Sequence, residues 1–282
     1  MNISIVTACF NNLSTIECCR QSVKSQSIPA EHVFIDGVST DGTADWLRKT
    51  VVNEPAMRFV SEPDLGIYDA MNKGIRLASG DIIGTLNADD YYADERVLAR
   101  VTEVMSDTRI DACYGDIVYV HADSGPFLTA DKSLLPAPSE RVIRTWRAGT
   151  QGERWSRATS APWSPRALVS NPWLWGWMPP HPSFFVRRHI LERLGMFRLD
   201  MGTSADYELM LRLLNKYRIR CAYIPTVLVK MRLGGVSTRS LRNRLKAHLN
   251  DWRAWRVNRL LPSPWTVPMK PLRKICQWAD NS

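Results

Sequence analysis

At 282 residues, 45% of them hydrophobic, the chain can bury the core of one sizeable α/β domain with an appendage, which excludes a disordered or low-complexity polypeptide. Its net charge of +9 is unevenly placed: from Arg232 onward 11 Lys and Arg face 2 Asp and Glu, whereas 26 face 26 before it, so a basic tail follows a charge-neutral body. Six cysteines without C-x-x-C spacing exclude the common zinc and dithiol motifs and read as reduced thiols.

The run Ile3-Ser4-Ile5-Val6-Thr7 starts at once, without the basic region and apolar core of a secretory signal. No stretch approaches the roughly 20 apolar residues of a membrane span. The expected location is the cytoplasm, with peripheral attachment to the cytoplasmic face of the inner membrane if the tail binds lipid.

Up to about residue 120 short β-rich runs alternate with helical patterns, as βαβ units of a mostly parallel sheet do. Ile3 to Ala8 is the first strand; Ser14 and Glu17 form a capping box for a helix lined by Ile16, Cys19 and Val23. Val33 to Asp36 is the second strand, followed by a turn-rich Gly37 to Gly42 and a helix to Val52 capped by Asp41 or Thr43. Strands at Arg58 to Ser61 and Ile82 to Leu86 flank a helix from Ile67 to Ala78, with Gly80 as its stop. From His121 to Pro182 a Trp-, Pro- and Arg-rich stretch gives no periodicity. Order returns with a strand at Ser183 to Val186, helices at Arg188 to Leu194 and Asp206 to Leu214, and an apolar run from Val227 to Met231 before Gly234-Gly235.

The first strand is not followed by G-x-G-x-x-G, which argues against a dinucleotide-dependent dehydrogenase. Carboxylates stand at strand ends instead: Asp36 after the second strand and Asp89-Asp90 after the fourth, where open α/β sheets bind ligands. Adjacent carboxylates repel unless a cation lies beside them, and Mg²⁺ or Mn²⁺ held by one or two carboxylates plus substrate phosphates is the usual solution. A polar turn with Asp90 capping a helix accounts for the same residues.

Three segments, Ile35-Asp36-Gly37-Val38-Ser39-Thr40-Asp41-Gly42-Thr43, Glu62 through Ile75, and Leu86-Asn87-Ala88-Asp89-Asp90, together resemble the inverting family 2 glycosyltransferases of GT-A fold, and the branch that makes bacterial surface polysaccharides. The order and spacing match as well as the residues, over roughly residues 1 to 237. The resemblance implies a GT-A fold: a Rossmann-like, mostly parallel α/β sheet with helices on both faces. A nucleotide-sugar-binding half (1–120), an acceptor-side half (121–237) and a helical basic extension (238–282) would divide the chain.

The likeness further implies that Thr7, Asn11 and Asp36 contact the nucleotide, with Asp36 suited to accept from a uracil imide N–H. Asp64, Asn72 and Lys73 would line the donor, Lys73 facing a phosphate. Asp89 would touch ribose or a metal-bound water, and Asp90 would ligate Mn²⁺ or Mg²⁺. Asn87 occupies the first acidic position of the family's D-x-D. Ser204-Ala205-Asp206-Tyr207-Glu208 resembles the family's base motif, with Asp206 as general base at a helix start that favours its ionised form, and Glu208 as the reserve. Ala205 replaces the usual Glu. His181 falls where relatives place an acceptor-side histidine, and Trp173, Trp175 and Trp177 either stack on a sugar or pack a lid.

In the tail, a helix from Leu241 to Leu260 would align Leu241, Leu245, Leu249 and Trp252 apart from Arg242, Lys246, Arg253 and Arg256, the pattern of a helix lying on an anionic membrane where a lipid-linked acceptor would sit. Packing of that Leu/Trp face on the catalytic body is the other reading. Trp265, Lys270, Arg273, Lys274 and Trp278 extend the composition. No nucleic-acid-binding motif accompanies the basicity, so no nucleic-acid partner is expected. The function expected is transfer from a nucleotide-sugar, UDP-linked in preference to GDP- or dTDP-linked, to a saccharide or lipid-linked saccharide. The alternatives are a metal-dependent nucleotidyltransferase and a catalytically silent sugar-nucleotide- or lipid-binding partner.

Overall fold

A computed structural model describes residues 1–121, 127–128, 134–135, 141–156, 171–233, 241–262 and 266. The first half runs β1 (Ile3–Cys9), α1 (Leu13–Lys24), β2 (Glu31–Asp36), α2 (Thr43–Val51), β3 (Met57–Ser61), α3 (Ile67–Leu77), β4 (Ile82–Thr85), β5 (Tyr91–Tyr92), α4 (Val97–Met105) and β6 (Ala112–Val120). After a two-residue pair, β7 (Phe127–Leu128) and β8 (Leu134–Leu135), come β9 (Val142–Trp146), α5 (Gln151–Ser156), β10 (Phe185–Arg187) and α6 (Arg188–Leu194). Then follow α7 (Ala205–Met210), widening into a π-helical turn at Leu211–Lys216, β11 (Cys221–Arg232) and α8 (Leu241–Val257).

The main sheet has the order β3-β2-β1-β4-β10-β6-β11-β5, with β9 added on β6. β1, β2, β3 and β4 pair in parallel, as do β6 and β11, while β10 runs antiparallel between β4 and β6. This is the GT-A architecture. Alternation along β1 sorts its side chains: Ile3 and Ile5 pack with Cys19 and Val23 of α1, and Val6 and Ala8 with Ala70, Met71 and Ile75 of α3. The helix positions read from 3.6-residue periodicity therefore hold, and helices cover both faces.

Several local readings are corrected. The capping box does not form: α1 starts at Leu13 behind Asn12, and Glu17 instead pairs with Arg20 at 2.8 Å. The Leu13 N–H that such a cap leaves open donates to Asp41 at 2.9 Å, and the same carboxylate accepts from Thr43 N at 3.0 Å. One Asp thus serves the starts of two helices, a long-range solution that a local motif cannot reveal. Gly80 is not the stop of α3, which ends at Leu77 with Ala78 already extended. A Cβ at Gly80 would lie 2.6 Å from Ser4 N, so this glycine is there to let the chain press onto β1. Ser183 belongs to a 3₁₀ turn (His181–Ser183) ahead of β10. In the aperiodic stretch, Trp173 and Trp177 are buried and pack edge-to-face at 5.5 Å, whereas Trp175 is exposed.

The tail helix forms and lies on the catalytic body through Asp251, Ala254, Trp255 and Asn258, all buried, while Leu249 is 63% exposed. The docked face is polar as well as aromatic, so the reading that packs the Leu/Trp stripe on the body fails at Leu249; the side chains of Leu241, Arg242, Leu245 and Lys246 lie outside the described residues. Trp265, Lys270, Arg273, Lys274, Trp278, Gly234-Gly235 and the boundary drawn at 237/238 lie outside the described residues. Among the described residues no helix is long and apolar enough to cross a membrane.

Candidate active site

Ligand-facing loops in such a sheet leave the C-terminal ends of parallel strands. β10 brings a further segment there by running backwards: Phe185 registers with Gly84 and Arg187 with Ile82, so His181, just before β10, lies at the end of β4 from which Asp89 and Asp90 emerge. An antiparallel strand in the middle of the sheet thus delivers the chain's second half to the same edge as the first.

At the donor side the loops after β1 and β2 are tied together. Asn11, in the left-handed region at φ 55°, accepts from Thr40 N at 2.8 Å and gives its own N–H to Ser39 Oγ at 2.8 Å. Asp36 is buried; it accepts from Ser39 N at 3.0 Å and Ser61 Oγ at 2.7 Å, and a short bond comes from Ser39 Oγ. Asp64 closes over this turn, since a Cβ on Gly37 would sit 2.6 Å from its Oδ2. Asn11, Asp36 and Asp64 are therefore one cluster.

Three expected donor residues are occupied otherwise. Thr7 falls on the odd face of β1, under α1, and its hydroxyl bonds His32 Nε2 at 2.9 Å; it is buried away from the loops. Asn72 uses both ends of its amide on one peptide of a distant segment, donating to Phe197 O at 2.9 Å and accepting from Phe197 N at 3.0 Å, which makes it a clamp on α3. Lys73 pairs with Glu62 at 2.9 Å and Asp69 at 3.5 Å and donates to Pro63 O at 2.7 Å, so its charge is turned along its own helix and loop.

The Asp89-Asp90 turn shows unequal partners. Asp90 is buried, accepting from Asn87 Nδ2 at 2.8 Å and Arg232 N at 3.2 Å. Asp89 is half-buried. Burial pushes the Asp89 carboxyl up, and burial followed by the charge of Asp89 pushes Asp90 well up, with Arg232 acting against both. Arg232 donates to Asp89 O at 2.5 Å and lies 4.7 Å over the Tyr91 ring. Two desolvated carboxylates answered by one guanidinium leave negative charge uncompensated, which fits a hard cation. Among the described residues no three Asp, Glu, His or Cys side chains form a cage, so the fit is to an ion whose sphere substrate phosphates complete. The reading of Asp90 as direct ligand is revised: its oxygens face the protein, and Asp89 is the accessible one.

On the acceptor side the structure joins two residues 25 positions apart, His181 Nδ1 lying 3.2 Å from Asp206 Oδ2. Asp206 stands in the first turn of α7, with its other oxygen accepting from Tyr207 N at 2.7 Å. The Tyr68 phenol faces the same carboxylate, and burial followed by that charge pushes it well up, so it remains a hydroxyl donor. Glu208 is withdrawn as a reserve base: fully buried, it points the other way, into an ion pair with Arg212 at 3.0 Å. Reasoning from sequence passed over Tyr68 and Arg232. The first stands inside the quoted Glu62 to Ile75 segment; the second, 142 residues from Asp90, carries no local signal.

Comparison with known proteins bears on the family and the fold. The family described as Glycosyl transferase family 2 matches residues 4–192. An uncharacterized glycosyltransferase of Mycobacterium tuberculosis is 28% identical over 214 residues, 74% of this chain and 68% of the relative. A PGL/p-HBAD biosynthesis glycosyltransferase of Mycobacterium bovis is 33% identical over 118 residues, 41% of this chain and 46% of that one. Among solved structures, Staphylococcus aureus TarS 1–349 in complex with UDP-GlcNAc superposes with a TM-score of 0.62 at 15% identity, over 92% of this chain and 65% of that one. A mannosyltransferase of Pyrobaculum calidifontis in complex with GDP-Man and Mn²⁺ gives 0.61 at 18%, over 100% and 76%. At these identities the structural likeness establishes the fold, and the chain spans 39% of the longer TarS chain.

Proposed function

The chain belongs to glycosyl transferase family 2, and from that premise we propose that it moves a sugar from a nucleoside-diphosphate donor to an acceptor hydroxyl with inversion, Asp206 acting as the general base. The observation that carries the proposal is the meeting of Asp206, His181 and Tyr68 at the edge where the Asp36 and Asp89-Asp90 turns also end. Inversion needs a base on the sugar face opposite the leaving group, and a carboxylate fixed by two flanking groups is suited to take the acceptor proton as the new bond forms.

Each residue has a stated part. Asp36, set at the end of β2 by Ser39, Ser61 and a 4.0 Å contact from Cys9 Sγ, would accept a uracil imide N–H. Asp64 and Asn11 close the base-side loops. Asp89 would hold Mn²⁺ or Mg²⁺, with Asp90 behind it and Arg232 fixing the turn; such an ion, when bound, neutralises charge on the departing diphosphate. His181 orients the Asp206 carboxylate, and Tyr68 donates to it. The complexes with UDP-GlcNAc and with GDP-Man and Mn²⁺ in proteins of this fold support a nucleotide-sugar and a divalent ion, and the biosynthetic relatives support a saccharide or lipid-linked acceptor. Exposed Leu249 and Arg256 on α8, with exposed Leu261 just beyond it, support attachment of the tail to an anionic membrane.

Calorimetric titration of UDP, GDP and dTDP, first with Mn²⁺ and then with EDTA, tests the donor site. One nucleotide binding only with metal is the expected result. No binding of any of them to folded protein would point to a silent partner instead.

A further inference from the structure

Asp206 is followed in α7 by two residues whose side chains are both held by α8. Trp255 Nε1 donates to Tyr207 Oη at 2.9 Å, and Asn258 Nδ2 donates to Glu208 Oε1 at 3.0 Å, all of these groups being buried. Glu208 is held from its other side by Arg212, whose guanidinium also caps the carbonyls of Leu194, Gly195 and Met196. Higher on α8, Asn250 Nδ2 donates to Met201 O at 3.0 Å and Arg253 to Asp200 O at 2.8 Å. These contacts secure the 3₁₀ segment Leu199–Ser204 through which the chain reaches Asp206. The helix grips Asp200, Met201, Tyr207 and Glu208 on either side of Asp206, whose own carboxylate meets His181, Tyr68 and Tyr207 N.

The polarity of the docked face is what separates this from simple packing. A tail helix that only covered apolar surface would present Leu or Val; α8 presents a buried indole N–H and a buried amide, each paired with a side chain adjoining Asp206. Such pairs fix direction as well as proximity, because a buried donor that loses its acceptor is left unsatisfied away from water. The match to the family ends at residue 192, before both the base and this helix.

We propose that α8 is part of the catalytic apparatus, with Trp255 and Asn258 as positioning residues that hold Asp206 in register with His181 and the incoming hydroxyl. This rests on Asp206 being the base. Displacement of a base by an ångström costs on the order of tenfold or more in rate while leaving a donor site built from other loops untouched.

The test uses the full chain, with release of the nucleoside diphosphate that calorimetry identifies, from its glucose and N-acetylglucosamine derivatives, as the readout and water as acceptor. Trp255→Phe keeps an aromatic ring, though a smaller one, and loses the donor; Asn258→Asp keeps the shape and sets an acceptor against Glu208. Each is expected to lower kcat by about tenfold with donor Kd within about twofold of wild type. Adding Glu208→Gln to Asn258→Asp turns the hydrogen bond round and should recover most of the rate. Wild-type turnover in both single variants would overturn the proposal, as would rate and donor affinity falling together, which marks general loosening. Asp206→Asn separates the two layers: if it is inactive while the α8 variants are normal, only the positioning role fails; if it turns over normally, the base assignment fails and the positioning role with it.

Discussion

The two sides of this edge, the proposed donor side and the proposed acceptor side, are built on different plans. The donor cluster of Asn11, Asp36, Asp64 and Asp89-Asp90 comes from the first 90 residues and is held mainly by backbone groups and loop hydroxyls, as in the bonds to Ser39 N, Thr40 N and Ser61 Oγ. The acceptor cluster draws Tyr68, His181 and Asp206 from three distant segments, with Trp255 and Asn258 behind them, all joined through side chains. Loop backbone carries a site that local sequence can specify; side-chain relays carry one that depends on the finished fold.

The contrast can be broken by mutation, and the largest effect should come at its acceptor pole. Asp206→Asn should lower kcat by about 10³-fold while donor Kd moves by no more than about twofold, measured by UDP release and calorimetry. At the donor pole Asp89→Ala should instead abolish the Mn²⁺-dependent part of UDP binding, about 30-fold in Kd at a cost near 2 kcal/mol, with little loss of melting temperature. If both variants lose rate and affinity in equal measure, the two sides are not separable. His181→Gln should lower kcat less, by about tenfold, again with donor binding preserved.

A pH experiment sharpens the same contrast in stability. Burial, then the Arg20 charge, depresses His32 to about 3 from its ordinary 6.5, at the start of β2 and bonded to Thr7. Between those two values the unfolded chain binds a proton that the folded chain refuses, so stability should fall as pH drops below about 6.5, by at most about 1.4 kcal/mol per unit from this group. Urea unfolding at pH 7 and pH 5 should show the loss, and His32→Asn should flatten it. The smallest effect is expected at Lys73→Ala, whose donor affinity should stay within about twofold because its ammonium is already paired with Glu62.

How far the sequence could be read follows the same division. Strand and helix positions through β4 emerge from periodicity, because each βα unit buries one face within its own neighbourhood. Asp36 and Asp89-Asp90 are legible because strand ends and adjacent carboxylates carry physical meaning before any fold is known. Asp206 and His181 were named singly by resemblance, but nothing local says that they touch. Thr7, Asn72 and Glu208 misled for one reason: a polar residue in a motif looks available, and only packing shows that His32, Phe197 and Arg212 already hold it. The tail erred similarly, its docked face being chosen by Trp255 and Asn258 and not by the leucine spacing.

One feature of α3 bears on selectivity. Its entry loop carries Asp64 and its first turn Tyr68, while Gly74 rests so closely on β1 that a Cβ would come within 2.3 Å of Val6 Cγ1, and the amide of Asn72 is bolted to Phe197. These contacts hold the helix in place, so in the proposed reaction it would act as a ruler of fixed length between the departing group and the incoming nucleophile. Preference for one sugar over another would then be written in the side chains that line that interval.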